Sequence, residues 1–454
     1  MALSVIILAA GKGTRMKSDL PKVLHTLANK PIVEHIIDTV KSIECDGINL
    51  VYGHGGEQLK AALSAHDVNW CLQEQQLGTG HAVMQAQAHV NDNDDVLILV
   101  GDAPLISKQT LEELVRVKQS CDLALLTVNL DDPTGMGRII RDPSSNNISE
   151  IVEHKDATSE QLNIQEINTG MMIMSGADLK RWLSALSNDN AQSEYYLTDV
   201  IAMAASEGKR IQSAQPQWQQ EVEGINNRKQ LAALECAYQH RLADKLMEAG
   251  VHIYDPYRID IRGELTCGKD VSIDINAVFE GKVTLGDRVK IGPNCVLKDC
   301  EVGSDTVIEA FSHIQEAKLD KSCTVGPYAR LRPGADLATG AKIGNFVEIK
   351  KAKVGEGSKV NHLSYIGDAQ LGSGVNIGAG TITCNYDGVN KYKTEIQDGV
   401  FVGSNSALVA PVVLEKGSTV GAGSTITKDI AVDSLGIARS KQRNIATWHK
   451  PSKQ

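Results

Sequence analysis

In the second half of the chain, aliphatic residues recur in runs at every sixth position, and several joins between runs, such as Leu297 to Val302 and Ile349 to Val354, shorten one step to five. Two long runs keep this spacing: Leu319, Val325, Leu331, Leu337, Ile343 and Ile349, and then Ile396, Val402, Leu408, Leu414, Val420 and Ile426. Shorter runs share it: Leu285, Ile291 and Leu297, and Val302, Ile308 and Ile314. A helix repeats every 3.6 residues and a strand every two, so neither element produces a period of six. The pattern predicts a parallel β-helix with three flat sides, in which each hexad sends one aliphatic side chain to the axis.

The first half of the chain, to about residue 229, alternates short apolar runs with helical patterns. Three runs are typical of strands: Ser4–Ala9, Ile48–Tyr52 and Val96–Val100. A helical pattern near 32–42 separates the first two, which indicates an α/β domain with a mostly parallel, Rossmann-like sheet. Ligands of such sheets bind at the carboxyl ends of strands, so we expect a site in the loops after Leu8, Val51 and Val100.

An amphipathic segment separates these two regions. Its apolar residues recur at spacings of three and four: Leu231, Leu234, Tyr238, Leu242 and Leu246. Gly250 follows as a candidate C′ residue. The segment is a linker helix or, equally well, the last helix of the first domain. We therefore divide the chain into domains at 1–229 and 251–454, with a helix at 230–250 and a basic tail from about 438.

Composition narrows the classes of partner. The chain has 46 Lys and Arg against 56 Asp and Glu, a net charge of −10, which disfavours nucleic acid or an anionic membrane as a partner. No apolar run reaches the roughly 18 residues that a membrane span needs. The nine cysteines show no paired C-x-x-C motifs, so a zinc site or a disulfide framework is not indicated and a cytoplasmic location is expected.

The loop after the first strand has the composition of a phosphate cradle. It reads Leu8-Ala-Ala-Gly11-Lys12-Gly13-Thr14-Arg15-Met16, with Pro21-Lys22 beyond it. The glycines let backbone N–H groups approach an anion, and Arg15 and Lys22 add positive charge. Met16 breaks the G-x-G-x-x-G dinucleotide motif, and no P-loop lysine follows. A bare G-x-G is often an ordinary turn, but the whole string resembles the sugar nucleotidyltransferases.

Further strings extend this resemblance, among them Gln73–Gly80, Gly101–Leu105 and Glu221–Arg228. The resemblance implies that Asp102 and Asn226 hold Mg²⁺, although Asp102 alone could cap a turn and Asn226 alone could cap a helix. It further implies that Lys22 and Arg15 are catalytic cations. It also implies a site for UTP and UDP-N-acetylglucosamine formed by Leu8, Ala9, Ala10, Gly11, Gly13, Lys22, Gln73, Gln76, Gly78, Thr79, Val100, Gly101, Asp102, Gly137, Glu153, Asn168 and Asn226. Tyr196 and Thr198 are further candidates on the sugar side. Val100 and Met136 stand where the family pattern leads us to expect an aromatic residue.

The hexads are interrupted once, near Gly378–Lys391, which predicts a loop protruding from the solenoid. The repeats resemble the hexapeptide-repeat acyltransferases, whose β-helices are left-handed and usually trimeric. Asn361-His362-Leu-Ser-Tyr365, just before the interruption, resembles the bifunctional enzymes that make UDP-N-acetylglucosamine, in which the matching histidine deprotonates an amine. Imidazole suits that role because it titrates near neutrality.

That resemblance implies acetylation of glucosamine 1-phosphate by acetyl-coenzyme A, with His362 as the base. The sugar phosphate would be bound by Arg332, Lys350, Tyr365, Asn376 and Lys391. The residues matching the acetyl-coenzyme A site are Ala379, Asn385, Tyr386, Ser404, Ala422 and Arg439. Asn385 is expected to orient His362 or the amine, and Cys384 is interpreted as structural.

Three function classes follow. The leading one is a homotrimeric bifunctional enzyme that acetylates glucosamine 1-phosphate and couples the resulting N-acetylglucosamine 1-phosphate to UMP from UTP. A single-activity pyrophosphorylase for ADP-glucose or GDP-mannose, with a structural or regulatory solenoid, is the alternative. A non-enzymatic assembly scaffold is the third class.

Overall fold

The protein is described from a computed structural model that covers residues 2–53, 55–190 and 192–453. It forms two compact units, Met1–Tyr238 and Gln239–Gln454. Within the described residues, no helix combines the length and the apolar character needed to cross a membrane.

The described residues of the first unit form an α/β domain with eleven strands and six helices, followed by a seventh helix. The strands β1 to β11 are Leu3–Ala9, Thr26–Leu27, Lys30–Pro31, Gly47–Tyr52, Asn69–Leu72, Asp95–Val100, Leu123–Asn129, Arg138–Arg141, Ile148–Val152, Glu166–Ser175 and Ile211–Ala214. The helices α1 to α7 are Ile32–Lys41, Gly56–Ala62, Thr79–Met84, Lys108–Lys118, Gly176–Ala185, Asp199–Ser206 and Arg228–Glu248. Short 3₁₀ turns lie at Thr14–Met16, Lys22–Leu24, Gln87–His89, Gln161–Asn163 and Gln219–Val222.

The main sheet has the order β11-β7-β10-β6-β1-β4-β5. All neighbours along this path are parallel except β10, which runs antiparallel to β6 and β7. Side chains of β1 alternate between two apolar layers: Val5 and Ile7 pack on one face and Ile6 on the other. The expected mostly parallel sheet is confirmed, and the carboxyl ends of β1, β4 and β6 lie side by side.

The second unit is a solenoid of short parallel strands. One side is an eleven-stranded sheet formed by His252–Ile253, Ser272–Ile273, Lys290–Ile291, Val307–Ile308, Thr324–Val325, Lys342–Asn345, Lys359–His362, Asn376–Ile377, Phe401–Val402, Thr419–Val420 and Leu435–Gly436. The other strands form a sixteen-stranded sheet: Ile259–Cys267, Ala277–Leu285, Val296–Val302, His313–Gln315, Lys318–Leu319, Arg330–Leu331, Asp336–Leu337, Glu348–Lys350, Lys353–Val354, Tyr365–Gly367, Ala369–Leu371, Ile382–Cys384, Thr394–Ile396, Ala407–Val409, Val412–Leu414 and Thr425–Ile426. The strand Val296–Val302 lies between two series of strands in this sheet, and these two series form the second and third sides of the solenoid.

Successive coils of the solenoid stack in register. Val278 pairs with Val296 and Val296 with His313, so one coil takes 18 or 17 residues, three hexads or one residue fewer. The aliphatic residues of both long six-residue runs are at most 4% exposed. Their burial confirms the three-sided β-helix, because each hexad contributes one side chain to a continuous apolar axis.

The interruption of the hexads is one long coil. Ile382 pairs with Ala407, a step of 25 residues instead of 17 or 18. The extra residues protrude as a small loop closed by a bridge between Tyr386 and Lys391. The predicted protruding loop is therefore present, and the stacking resumes on its far side.

Helix α7 contributes to both units. Leu234 is buried in a cluster with Met16, Leu27 and Ile32 of the first unit. Ala243 is buried in the axial cluster of the solenoid. The helix ends in a Schellman motif in which Gly250 adopts a φ of +96° and Val251 N–H donates to the Leu246 carbonyl. The sequence analysis divides the chain at the two ends of this helix, and the division into compact units falls inside the helix, after Tyr238.

We expect Ile343→Ala to destabilise the solenoid by about 2–5 kcal/mol, because it leaves a cavity in an axis where Ile343 is fully buried. Chemical denaturation followed by circular dichroism measures the change. Lys342→Ala is the matched control, since Lys342 is exposed and its loss should change the free energy of unfolding by about 0.5 kcal/mol or less. Equal effects of the two substitutions would contradict the axial-core interpretation.

Candidate active sites

A cavity of about 290 Å³ opens at the carboxyl edge of the first unit's sheet. Eleven residues expected at a nucleotide site line it: Leu8, Ala9, Ala10, Gly11, Lys22, Gln73, Gln76, Gly78, Thr79, Val100 and Asp102. They come from the ends of β1 and β6, the loop after β5 and the start of α3. The fold therefore brings together residues that are up to 94 positions apart in the sequence, Leu8 and Asp102.

The cradle loop is tight because of Gly13. This residue has a φ of +61°, and a Cβ there would lie 2.6 Å from Lys22 Cβ. A side chain at this position would be strained and would also push the lysine aside. Gly13 thus sets where Lys22 enters the cavity, although it does not line the cavity itself.

Lys22, Asp102, Asn226 and Arg15 form one polar network. Lys22 Nζ lies 2.5 Å from Asp102 Oδ2 and 3.2 Å from Asn226 Oδ1. Arg15 Nη2 donates to the same Asn226 oxygen over 2.9 Å. The two residues expected to hold a metal ion and the two expected catalytic cations therefore lie together, although they come from three distant segments.

The sugar-side residues form a second chain of contacts that reaches the cavity wall. Asn168 N–H donates to the Gly137 carbonyl over 2.9 Å, and the Asn168 side chain accepts from Gly170 N–H. A Cβ on Gly170 would lie 3.1 Å from Val100 of the cavity, and one on Gly137 would lie 3.4 Å from Glu153. Gly137, Glu153 and Asn168 are thus grouped beside Val100.

Glu153 and Tyr196 belong to this side as well. Burial raises the pKa of Glu153, and Thr198 Oγ1 lies 3.4 Å from one of its carboxylate oxygens. The Tyr196 hydroxyl accepts instead from Gln192, at an exposed position. The structure therefore groups Thr198 with the sugar-side carboxylate and turns the Tyr196 hydroxyl to a neighbouring loop residue.

Sequence reasoning did not name every residue of this site. Val23, Ala82 and Glu194 also line the cavity. Val23 and Ala82 are apolar residues of ordinary segments and carried no signal, whereas Glu194 lies two residues before the candidate Tyr196. Arg138, next to Gly137, is 1% exposed, and its guanidinium donates to the carbonyl of Met136, one of the two positions where an aromatic residue was expected.

On the solenoid, three cations expected to bind a sugar phosphate are close enough to influence one another. The Lys391 ammonium lowers the pKa of Lys350, with partial desolvation and Arg332 contributing less. Arg332 Nη1 lies 2.7 Å from Glu348 Oε1. Tyr365, which is on the coil after Glu348, pairs with Glu348 in the sheet. Asn376, by contrast, lies on the eleven-stranded sheet, and thus on a different side of the solenoid from the cations.

His362 is exposed and is held by a neighbour that the sequence analysis did not name. Its Nδ1 lies 2.6 Å from Asn345 Oδ1, on the preceding coil. Asn385, which was expected to orient His362 or the amine, donates its amide hydrogen to the Asp368 carboxylate instead. In this structure the contact to the His362 ring comes from Asn345, and the role expected of Asn385 stays a prediction.

The residues expected at the acetyl-coenzyme A site include one column of small residues. Asn405 N–H donates to the Ala379 carbonyl and Gly423 N–H to the Ser404 carbonyl, which stacks these positions at one corner. Ala422 follows on the next coil, where a Cβ on Gly403 would lie 2.5 Å from its nitrogen. Arg439 follows on the C-terminal side of this column, because the carbonyl of the preceding residue, Ala438, accepts from Thr425 N–H. Tyr386 lies in the protruding loop and is 58% exposed.

Comparison with known proteins assigns the chain to a family. The MobA-like NTP transferase domain matches residues 5–155, and the bacterial transferase hexapeptide, with six repeats, matches residues 266–299. The bifunctional protein GlmU of Pseudoalteromonas atlantica strain T6c is 61% identical over 453 residues, 100% of both chains. The chain belongs to the GlmU family. GlmU proteins are bifunctional, so the resemblance drawn from the sequence is confirmed, and the single-activity and scaffold alternatives are excluded.

Two solved structures resemble the GlmU chain more distantly. The crystal structure of UDP-glucose pyrophosphorylase complexed with UDP-glucose is 17% identical, covers 53% of this chain and 100% of that chain, and has a TM-score of 0.45. That of HddC from Yersinia pseudotuberculosis complexed with GMP-PN is 17% identical, with coverages of 52% and 99% and a TM-score of 0.40. Neither carries an argument about function. The fold prediction, a Rossmann-like domain followed by a left-handed β-helix of hexapeptide repeats, is confirmed by the family and the strand pairing together.

Proposed function

We propose that this GlmU protein makes UDP-N-acetylglucosamine in two steps on two units. The solenoid transfers the acetyl group of acetyl-coenzyme A to glucosamine 1-phosphate. The first unit then couples N-acetylglucosamine 1-phosphate to UMP from UTP and releases pyrophosphate. The observation that carries the proposal is the cavity at the carboxyl edge, which is lined by Ala10 and Gly11 of the cradle loop, by the amides of Gln73 and Gln76, and by Asp102. We also propose a cytoplasmic location, which is consistent with the nine free cysteines.

Uridylyl transfer needs alignment and charge neutralisation rather than a general base. The phosphate of the sugar is already an anionic nucleophile, so one of its oxygens attacks the α-phosphorus of UTP and pyrophosphate leaves. Lys22 lines the cavity, and Arg15 lies one short turn after the cradle glycines. Both cations are positioned to offset charge on the phosphates. The amides of Gln73 and Gln76 line the same cavity and suit the donor and acceptor edge of uracil.

The donor set fits a magnesium ion. Asp102 offers a carboxylate and Asn226 an amide oxygen, which are hard ligands of the kind Mg²⁺ takes alongside water and substrate phosphates. Gly224 faces Asp102, and a Cβ there would lie 3.4 Å from both carboxylate oxygens, so glycine leaves that side open. When bound, the ion neutralises phosphate charge and orients the triphosphate. We propose Asp102 and Asn226 as its two protein ligands.

Acetyl transfer needs a base, because an amine must lose a proton as it attacks the thioester. Asn345 presents an amide oxygen to His362 Nδ1. An amide oxygen only accepts, so Nδ1 carries the hydrogen and Nε2 keeps its lone pair. Nε2 then takes the proton of the attacking amine, the carbonyl carbon forms the new amide bond, and coenzyme A leaves as the thiolate and is protonated.

The other solenoid residues suit binding roles. Lys350, Lys391 and Arg332 supply positive charge for the sugar phosphate, and the column of Ala379, Ser404 and Ala422 leaves room for the coenzyme. We propose that Tyr365 contacts the sugar beside these cations, and that Asn376, on a different side of the solenoid, contacts a sugar bound by another copy of the chain. We also propose that Asn385, Tyr386 and Arg439 contact acetyl-coenzyme A.

We propose a homotrimer, in which another copy of the chain covers an exposed apolar column beside His362. Phe311, Tyr328 and Phe346 stack with ring centroids 4.9 and 5.2 Å apart, and all three are 48–56% exposed. Leu363, 62% exposed, extends the column to the residue after His362. A contiguous apolar patch of this kind is typical of a protein interface.

Asp102→Ala should lower pyrophosphate release at least about 100-fold, because it removes the one carboxylate of the proposed metal site. Thiol release from acetyl-coenzyme A should stay at the wild-type rate, since that chemistry belongs to the other unit. The assay supplies glucosamine 1-phosphate, acetyl-coenzyme A, UTP and Mg²⁺ for the thiol readout, and N-acetylglucosamine 1-phosphate with UTP and Mg²⁺ for the pyrophosphate readout. Full pyrophosphate release by the variant would remove Asp102 from the mechanism.

His362→Ala should give the reverse pattern in the same two assays. We expect thiol release to fall by about 10²–10⁴-fold, the usual contribution of a general base, with pyrophosphate release from N-acetylglucosamine 1-phosphate unchanged. The acetylation proposal fails if this variant transfers acetyl groups at the wild-type rate.

Asn345 should act through His362 as a positioning residue. Asn345→Leu removes the acceptor at Nδ1, so we expect a loss of acetyl transfer that is smaller than that of His362→Ala. Asn345→Asp places a carboxylate there, which stabilises protonated imidazole and should move the acid limb of the pH–rate profile to higher pH. The pH dependence of kcat/KM measures this, and an unmoved acid limb in Asn345→Asp would argue against the contact.

A further inference from the structure

Both side chains proposed to ligate the divalent ion are already bound by cations of the chain itself. Lys22 Nζ lies 2.5 Å from Asp102 Oδ2 and 3.2 Å from Asn226 Oδ1, and Arg15 Nη2 lies 2.9 Å from the same amide oxygen. An amide oxygen has two lone pairs. Lys22 and Arg15 occupy both of them, so Asn226 cannot bind a metal ion until one of these cations leaves.

Asp102 imposes a similar condition. Magnesium binds a carboxylate oxygen at about 2.0–2.1 Å, and Lys22 approaches Asp102 Oδ2 to 2.5 Å. The Lys22 and Asp102 side chains are only 11% and 22% exposed, so solvent screens their charges weakly. A divalent ion and an ammonium group sharing this carboxylate would therefore repel each other strongly.

We propose that Lys22 and Arg15 hold the metal ligands in place and are exchanged for the divalent ion, which frees both cations for the phosphates. This inference rests on the proposed metal site. Lys22 lines the nucleotide cavity and Arg15 follows the cradle loop, so neither must travel far to reach an anion there. Metal binding and phosphate binding are then coupled through the same two side chains.

The coupling must be reciprocal. An anion in the cradle draws Lys22 and Arg15 away from Asp102 and Asn226, which strengthens metal binding, and the metal in turn strengthens anion binding by the same factor. The protein alone binds the metal weakly, because the ion has to displace an internal ion pair. The site thereby favours a metal ion and a polyphosphate arriving together.

Binding of Mn²⁺ to the full chain tests this without turnover. Electron paramagnetic resonance measures free Mn²⁺ during titration of protein stripped of divalent ions. We expect Lys22→Met to bind Mn²⁺ about fivefold tighter or more than the wild type, within the usual range of site–site coupling. Arg15→Met should strengthen binding less, because Arg15 contacts only Asn226. Inorganic pyrophosphate should tighten Mn²⁺ binding to the wild type by a larger factor than to Lys22→Met, after correction for the Mn²⁺ that free pyrophosphate binds.

Lys30→Met is the matched control, since Lys30 forms a comparable 2.6 Å ion pair with Asp38 and its loss should leave Mn²⁺ affinity unchanged. Equal or weaker Mn²⁺ binding by Lys22→Met, in protein with wild-type thermal stability, would overturn the exchange. Asp102→Asn separates the two proposals: if it leaves the Mn²⁺ affinity of the wild type intact, the metal site itself is wrong, and the exchange falls with it.

Discussion

The parallel stacking of coils is the constraint on which the second unit depends. Each coil must place three aliphatic side chains on the axis and align its strands with those of the coil before, so its length is held at 17 or 18 residues. Outward side chains then line up in columns along the solenoid. Because of this stacking, Asn345 contacts His362 and the Ala379 carbonyl accepts from Asn405 N–H. Any residues added to a coil have to leave the stack, as the loop with Lys391 does.

In the first unit, sheet topology rather than coil stacking brings distant residues together. Parallel strands place their carboxyl ends at one edge, so the loops after β1 and β6 bring Lys22 and Asp102 together. Asn226, which follows the last strand of the domain, completes the group. The proposed site here depends on three loops meeting, whereas the proposed site on the solenoid depends on the repeated stacking of coils. Loops also suit the side-chain rearrangement that we propose for Lys22, while a stacked coil favours fixed positions.

Period and motif explain what could be predicted from the sequence. The hexads predicted the solenoid because burial of one residue in six requires an aliphatic residue at that spacing in the sequence. The cradle string predicted the cavity because its glycines and its positively charged residues are close together in the sequence. The partner of His362 was missed, although Asn345 lies 17 residues earlier, one coil step. Asp368 lies the same 17 residues before Asn385, so coil arithmetic would also have indicated that contact. No sequence signal marked Val23 and Ala82, because apolar residues that line a cavity look the same in a sequence as other apolar core residues.

The sharing of α7 bears on how the chain can be divided. Leu234 completes an apolar cluster with Met16 and Ile32, whereas Ala243 lies in the axis of the solenoid. Truncation of the chain after residue 229, where the sequence pattern changes, would remove Leu234 from the first unit. The apolar surface that Leu234 covers would then be exposed. The change of sequence pattern and the boundary between the compact units are therefore at different positions in this protein. During synthesis, the first unit cannot complete its core until the beginning of the helix has left the ribosome.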